Sequence, residues 1–133
     1  MYALRASLIM GKKILIIDEA GFSRVCSVIL ESSGHEVEDI DYIDNLSSNK
    51  DNNEIGLVVT SYPYGAFIFE EIKKKKIPAI ILSDHIDNNL FAVLKELDNS
   101  YCMIKPLDYE KFRLLVNQIM SGQIIQQGGY SIV

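Results

Sequence analysis

The chain has 133 residues, the length of one domain, and its 48% hydrophobic and 23% charged residues exclude a mostly disordered protein. The 13 basic and 18 acidic residues leave a net charge of −5, which argues against nucleic-acid binding over a broad face. No stretch approaches the roughly 20 apolar residues of a membrane span. The two cysteines, Cys26 and Cys102, lie in apolar runs, which favours buried free thiols in a reducing cytoplasm.

Short apolar runs and stretches of helical spacing alternate along the first half of the chain. The run 13–18 (KILIID) is continuously apolar, which is typical of a strand buried on both faces of a parallel sheet. Helical spacing over 22–33 predicts a helix that ends at Gly34. Alternation over 35–40 predicts an edge strand, and the polar residues 44–53 leave room for a short helix at most.

The second half of the chain repeats the alternation. Buried strands are predicted at 55–60, 78–83 and 101–104. Helices are predicted between and after them, at 66–76, 86–97 and 107–121. Asp108 is the predicted cap of the last helix, because its side chain can accept a hydrogen bond from the first helical turn.

Strands that alternate with helices predict an α/β fold with a doubly wound, five-stranded parallel sheet flanked by helices. We expect one domain over 12–121, preceded by a disordered or artificial extension over 1–11. Residues 122–133 are expected to be a flexible tail or a linker. Because ligands of such sheets bind at the carboxyl ends of the strands, the polar residues at these ends are the candidate site.

Polar side chains follow three of the predicted strands. The pair Asp18 and Glu19 can bind Mg²⁺ through its carboxylates, or it can stabilise the start of the next helix. Ser83 can donate a hydrogen bond to an anion or cap its own strand. Lys105, which precedes Pro106, can neutralise a phosphoryl group, pair with Asp18, or lie in solvent.

These segments resemble the receiver domain of two-component response regulators. The resemblance covers about residues 12–121, and its motifs are KILIIDE, FSRVCSVILESSGHEV, PAIILS and YCMIKPLDYEKFRLLVNQI. It implies a flavodoxin-like receiver fold with strand order 2-1-3-4-5 and a cytoplasmic role in phosphorelay signalling. It also implies a cis Lys105-Pro106 bond and a pocket that contains Asp18, Glu19, Ser83, Lys105 and Pro106.

The third predicted strand lacks the residue that an active receiver needs. That residue is an aspartate at the end of the strand, which takes the phosphoryl group from a histidine kinase. The segment IGLVVTSYPYG contains no Asp or Glu. Thr60 aligns best with the acceptor position, with Val59 and Ser61 as alternatives, and a hydroxyl cannot form the labile acyl phosphate.

Three further departures from the family surround the same pocket. Asp84 follows Ser83, where the family usually has a small residue. Cys102 stands where the family has its switch aromatic, and Tyr101 lies one position earlier, on the other face of the strand. The loop after the third strand is also short. Together these departures predict that switching driven by phosphate has been lost.

We therefore predict a phosphorylation-independent receiver that is not an enzyme and acts as a protein-interaction module in two-component-type signalling. The resemblance implies that a signalling partner or a second copy docks on the helix 86–97, the strand 101–104 and the last helix. The candidate residues on that face are Phe91, Lys95, Tyr101, Tyr109 and Arg113. No cofactor is required, Mg²⁺ binding at Asp18 and Glu19 should be weak, and Lys105 should pair with one of these carboxylates. No nucleic-acid or membrane contact is expected, and a histidine kinase is a candidate partner.

Two other functions stay open at this point. A working phosphorelay receiver, phosphorylated with Mg²⁺ at a non-standard residue, would use the same pocket. A flavodoxin-like small-molecule binder would share only the sheet. The segment DEAGFS disfavours this binder, because it has a single glycine where a phosphate-binding loop needs several.

Overall fold

The computed structural model describes residues 12–39, 55–124 and 128–133. Within these residues six strands form one parallel sheet, in the order β2-β1-β3-β4-β5-β6. The strands are β1 (Lys13–Ile17), β2 (Val37–Asp39), β3 (Ile55–Ser61), β4 (Ala79–Ser83), β5 (Ser100–Ile104) and β6 (Tyr130–Ile132). The predicted parallel α/β fold and the order of its five strands are confirmed, but the predicted strand number is wrong because β6 adds to the β5 edge.

The described helices lie close to their predicted positions. They are α1 (Ala20–Ser32), α2 (Phe69–Lys75), α3 (Asn88–Glu96) and α4 (Tyr109–Met120). A 3₁₀ turn over Ala66–Ile68 leads into α2, so the α-helical part is shorter than the predicted helix at 66–76. Asp108 caps α4 as predicted, since its Oδ1 accepts a hydrogen bond from the backbone N–H of Lys111 at 3.1 Å.

Two apolar layers cover the two faces of the sheet. Alternate residues of β1 point to opposite layers: Ile14 packs with α1 and α4, whereas Leu15 packs with α2 and α3. This double burial explains why the strand segments are continuously apolar. Cys26 and Cys102 are buried free thiols, as predicted. None of the described helices is long and apolar enough to cross a membrane.

The end of the chain differs most from the prediction. Tyr130–Ile132, within the segment predicted as a tail, pairs with β5 in the register Ser100 to Tyr130. Gly128 and Gly129, which precede β6, have φ angles of 84° and 74°, a conformation that glycine adopts without strain. The predicted extension 1–11 and the polar segment 44–53 lie outside the described residues.

Candidate functional site

The carboxyl ends of β1, β3 and β5 bring a carboxylate, a hydroxyl and an amine together. Asp18 follows β1 and is only 1% exposed. Its Oδ2 accepts a hydrogen bond from the Oγ of Ser61 and lies 3.7 Å from the Nζ of Lys105. The predicted ion pair between Lys105 and Asp18 is therefore confirmed. We call Asp18, Ser61 and Lys105 the Asp18 cluster.

The two charges of this cluster have further partners. The Oδ1 of Asp18 accepts a hydrogen bond from the backbone N–H of Glu19 at 2.8 Å. The Nζ of Lys105 lies 4.3 Å from the centre of the Phe22 ring, a cation–π distance. Lys105 follows β5, and the peptide bond to Pro106 is cis, as predicted. Both charged groups are thus held by contacts within the domain.

The strand register decides which residue of β3 faces Asp18. Ile17 pairs with Thr60, so the next residues of the two strands, Asp18 and Ser61, lie side by side. The Oγ1 of Thr60 donates instead to the backbone carbonyl of Ile17 at 2.7 Å, and Val59 lies in the apolar core. Ser61 therefore faces Asp18, whereas Thr60, our first choice for the acceptor position, does not.

The loop after β3 turns back at Gly65 and packs against the end of that strand. The backbone N–H of Gly65 donates to the carbonyl of Ser61 at 2.6 Å. A methyl group at Gly65 would lie 1.8 Å from the Oγ1 of Thr60 and 2.9 Å from its Cβ, so only glycine fits there. Gly65 was not among the predicted site residues. The turn-forming residues of the segment SYPYG were the one signal that pointed to it.

The other predicted pocket residues lie at the same sheet edge but point elsewhere. Ser83 is 3% exposed, and its Oγ donates to the backbone carbonyl of His85 at 2.8 Å. Its hydroxyl is thus hydrogen-bonded within the loop that follows β4. The side chains of Glu19 and Asp84 are exposed to solvent.

The charges of the Asp18 cluster act on the buried thiol of Cys26, which is not reactive. Burial raises the pKa of its thiol to about 12, and the negative charge of Asp18 contributes to this rise. Since the thiolate is the reactive form, the thiol stays protonated and inert at neutral pH.

The residues at this edge do not fit a tight Mg²⁺ site. Mg²⁺ prefers several carboxylate oxygens and water in octahedral geometry. The only buried carboxylate of the Asp18 cluster already accepts hydrogen bonds from Ser61 and Glu19 and lies beside an ammonium group. In the described part of the chain, no group of three His, Cys, Asp or Glu side chains is placed to hold a metal ion.

We therefore expect Mg²⁺ titrated into the protein to show no saturable binding below about millimolar concentration. The Ser61→Asp variant places a second carboxylate beside Asp18 and should tighten Mg²⁺ binding by about tenfold or more. Isothermal titration calorimetry measures both proteins, with Ser61→Asn as the neutral control. Tight, stoichiometric binding by the unmodified chain would contradict this expectation.

Phe91 and Lys95 of the predicted docking face lie on α3 near the end of the chain. The Phe91 side chain is half-buried, and its ring centre lies 6.3 Å from that of Tyr130 in β6. Lys95 is exposed. These two residues and Tyr130 line a shallow open groove between α3 and β6.

The remaining predicted docking residues do not share that surface. Tyr101 is 6% exposed and packs in the core on the side of α1 and α4. Tyr109 is exposed at the start of α4, and Arg113 forms an ion pair with Glu110 on the same helix. Tyr101 therefore offers little surface to a partner, contrary to our prediction, because its side chain packs in the core.

Comparison with protein-family models and with curated proteins gives no match. Among solved structures, a response regulator receiver domain protein from Clostridium thermocellum is 26% identical, with a TM-score of 0.68 over 84% of this chain and 96% of that chain. A receiver domain protein (CheY-like) from Methanospirillum hungatei is 18% identical, with a TM-score of 0.71 over 84% and 95%. A two-component response regulator from Clostridium difficile is 18% identical, with a TM-score of 0.71 over 86% and 99%. The chain therefore has the fold of the receiver domain of two-component response regulators.

Proposed function

We propose that this chain is a phosphorylation-independent receiver domain, and that it acts as a protein-interaction module rather than as an enzyme. The observation that carries the proposal is the hydroxyl of Ser61 beside Asp18 at the end of β3, where the family resemblance implies that an active receiver has a nucleophilic carboxylate. A carboxylate can form a high-energy acyl phosphate, whereas a serine can form only a stable phosphoester. A receiver with Ser61 at this position lacks the reversible chemistry of the family.

The charges of the Asp18 cluster support a structural role for the pocket. Lys105, the one cation of the cluster, already lies 3.7 Å from the Asp18 carboxylate. An incoming phosphoryl group would compete for this ammonium and would meet the negative charge of Asp18 in a buried environment. The domain therefore keeps the folded shape of a receiver without the means to respond to phosphate.

A module of this kind would act by docking on a cytoplasmic signalling protein or on a second copy of itself, with a histidine kinase as one candidate partner. Lys95 on α3 and Tyr109 on α4 are the residues of the predicted face that are exposed. The net charge of −5 argues against a nucleic-acid partner.

The experiment that tests this function is incubation with Mg²⁺ and a small acyl-phosphate donor, followed by intact mass measurement. We expect the mass of the unmodified chain to stay unchanged. The Ser61→Asp variant restores a carboxylate beside Asp18 and Lys105, and it should gain one phosphoryl group that is lost at alkaline pH. Ser61→Asn is the matched control, since it has similar size and no nucleophilic carboxylate.

The outcome for the unmodified chain decides between the candidate functions. A gain of one phosphoryl group that is lost at alkaline pH would contradict the proposal and favour a working phosphorelay receiver. A gain that survives both alkaline and acid treatment would place the phosphate on a hydroxyl such as that of Ser61 and would also contradict the proposal.

A further inference from the structure

Two loops at the carboxyl edge of the sheet expose large apolar side chains. These loops follow β3 and β4, which are neighbouring strands. Tyr64 and Phe67 after β3 are 40% and 43% exposed, and Ile86 after β4 is 46% exposed. Apolar side chains that are exposed singly are common, whereas several of them on adjacent loops are typical of an interaction site. We call Tyr64, Phe67 and Ile86 the loop patch.

The backbone beneath the loop patch is held by contacts on both sides. The N–H of Tyr62 donates to the carbonyl of Leu82 at 2.8 Å, which joins the loop after β3 to β4. The ring of Tyr62 stacks on that of Phe69, with 6.2 Å between their centres. Ile68, the residue after Phe67, is fully buried in the core layer of α2 and α3. A partner would therefore meet an ordered surface, so that little conformational entropy is lost on binding.

The charges beside the loop patch are negative. Neither the segment 61–72 nor the segment 83–94 contains a lysine or an arginine. The carboxylates of Glu70 and Asp84 are exposed to solvent. His85 is the one residue of these two segments that can carry a positive charge, and its Nε2 lies 3.0 Å from a carboxylate oxygen of its own segment. This surface thus combines exposed apolar side chains with negative charge.

We propose that the loop patch is the docking surface of this domain, and that its partner is a basic amphipathic segment of another protein. The proposal rests on the interaction function proposed above and names the surface and the chemistry of the partner. Aliphatic side chains of such a segment would cover the loop patch, and its lysines or arginines would meet the carboxylates of Glu70 and Asp84. This surface is distinct from the face on α3, β5 and α4 that the family resemblance implies.

The negative charge disfavours the other occupants of this surface. Anionic lipid headgroups and the phosphates of nucleic acids would be repelled by it. A two-fold contact between two copies joins the same surface of each copy. Glu70 and Asp84 of one copy would then lie near the same carboxylates of the other, and like charges that face each other oppose association.

Binding of two designed peptides to the unmodified chain tests this proposal. The first is a helical peptide of leucine and lysine, and the second has glutamate in place of every lysine. Fluorescence anisotropy of the labelled peptides, without any phosphodonor, measures their dissociation constants. We expect saturable binding of the basic peptide below about millimolar concentration and at least about tenfold weaker binding of the acidic one.

A double variant of the loop patch locates the binding surface. Tyr64→Ser combined with Phe67→Ser should raise the dissociation constant of the basic peptide by about tenfold or more. Val25→Ser combined with Val28→Ser is the matched control, because it removes two apolar side chains that are exposed on α1. The control should change the dissociation constant by less than about twofold. Neither double variant changes the net charge.

A charge reversal keeps the test decisive if the serine variant does not fold. Glu70→Lys combined with Asp84→Lys should bind the acidic peptide more tightly than the basic one. Glu31→Lys combined with Asp98→Lys is the matched control, since both residues are exposed near the ends of α1 and α3, at the opposite edge of the sheet. The control changes the net charge equally and should still prefer the basic peptide.

The results that would overturn the proposal differ from those that would overturn the proposed function. Equal binding of both peptides by the unmodified chain, or no saturable binding, would overturn the docking surface. So would equal effects of a loop-patch variant and its matched control, or self-association of the unmodified chain that the serine variant abolishes. Phosphorylation of the unmodified chain would instead overturn the proposed function, and it is measured by mass, without any peptide.

Discussion

Replacement of Lys105 by alanine should lower the free energy of unfolding by about 2 kcal/mol. The change removes the ammonium group that lies 3.7 Å from the Asp18 carboxylate, which is buried and has no other ion-pair partner among the described residues. It also removes the cation–π contact with Phe22. For a domain of this size the expected fall in melting temperature is about 8 °C.

Thermal and urea unfolding measure this change, with Lys74→Ala as the matched control. Lys74 is an exposed lysine on α2, so its replacement should change stability by less than about 0.5 kcal/mol. In an active receiver the lysine chiefly serves the phosphoryl group, so its loss would impair signalling more than stability. A large loss of stability therefore supports the structural role of the Asp18 cluster.

A double-mutant cycle separates the ion pair from the other contacts of Lys105. In an Asp18→Asn background no buried negative charge is left, so Lys105→Ala should cost about half as much as in the unmodified chain. Simple additivity, or an unchanged melting temperature for the single variant, would mean that the lysine acts as a solvated side chain. Either result would contradict our interpretation of the cluster.

Most of the fold could be predicted from the sequence because burial leaves a strong pattern. Strands such as β1 and β4 are buried on both faces, and only a continuously apolar run satisfies that environment. The amphipathic helices carry the complementary pattern with a longer period. Asp108 was predictable for a different reason, since a capping side chain has a fixed place relative to its helix.

β6 was missed because the signal for a three-residue strand is weak. Tyr130 is its one partly buried residue, and the two glycines before it are equally typical of a linker. Only the place of β6 beside the uncharged strand β5 makes it recognisable as part of the sheet. Such a pairing joins segments that are distant in sequence, so periodicity within either segment does not reveal it.

For a related reason the sequence alone does not determine whether Thr60 or Ser61 faces Asp18. Adjacent residues of a strand point to opposite faces, so an error of one position exchanges a residue of the site for a residue of the core. The register of β1 against β3 determines which of the two residues faces Asp18, and a single sequence does not reveal this register. The ion pair of Lys105 with Asp18 could be predicted because both residues end strands at the same sheet edge.

Gly65→Ala should destabilise the domain more than Lys105→Ala does, with a loss of about 3 kcal/mol and a melting temperature lower by about 12 °C. The added methyl group would lie 1.8 Å from the Oγ1 of Thr60, which is buried and donates to the carbonyl of Ile17. It would also lie 3.1 Å from the carbonyl oxygen of Ser61. Neither group can move without breaking a hydrogen bond at the end of β3.

Gly21→Ala is the matched control, because a methyl group at Gly21 meets nothing within 4 Å. Gly21 lies in the first turn of α1, where alanine is the better helix former, so this variant should be neutral or slightly more stable. The Thr60→Ala change removes the closest clashing atom, so Gly65→Ala should cost less in that background. If Gly65→Ala and Gly21→Ala have equal effects on thermal unfolding, the loop after β3 does not close over Thr60. The position of Ser61 beside Asp18 would then be loosely held, and the structural reason for placing it at the acceptor position would be lost.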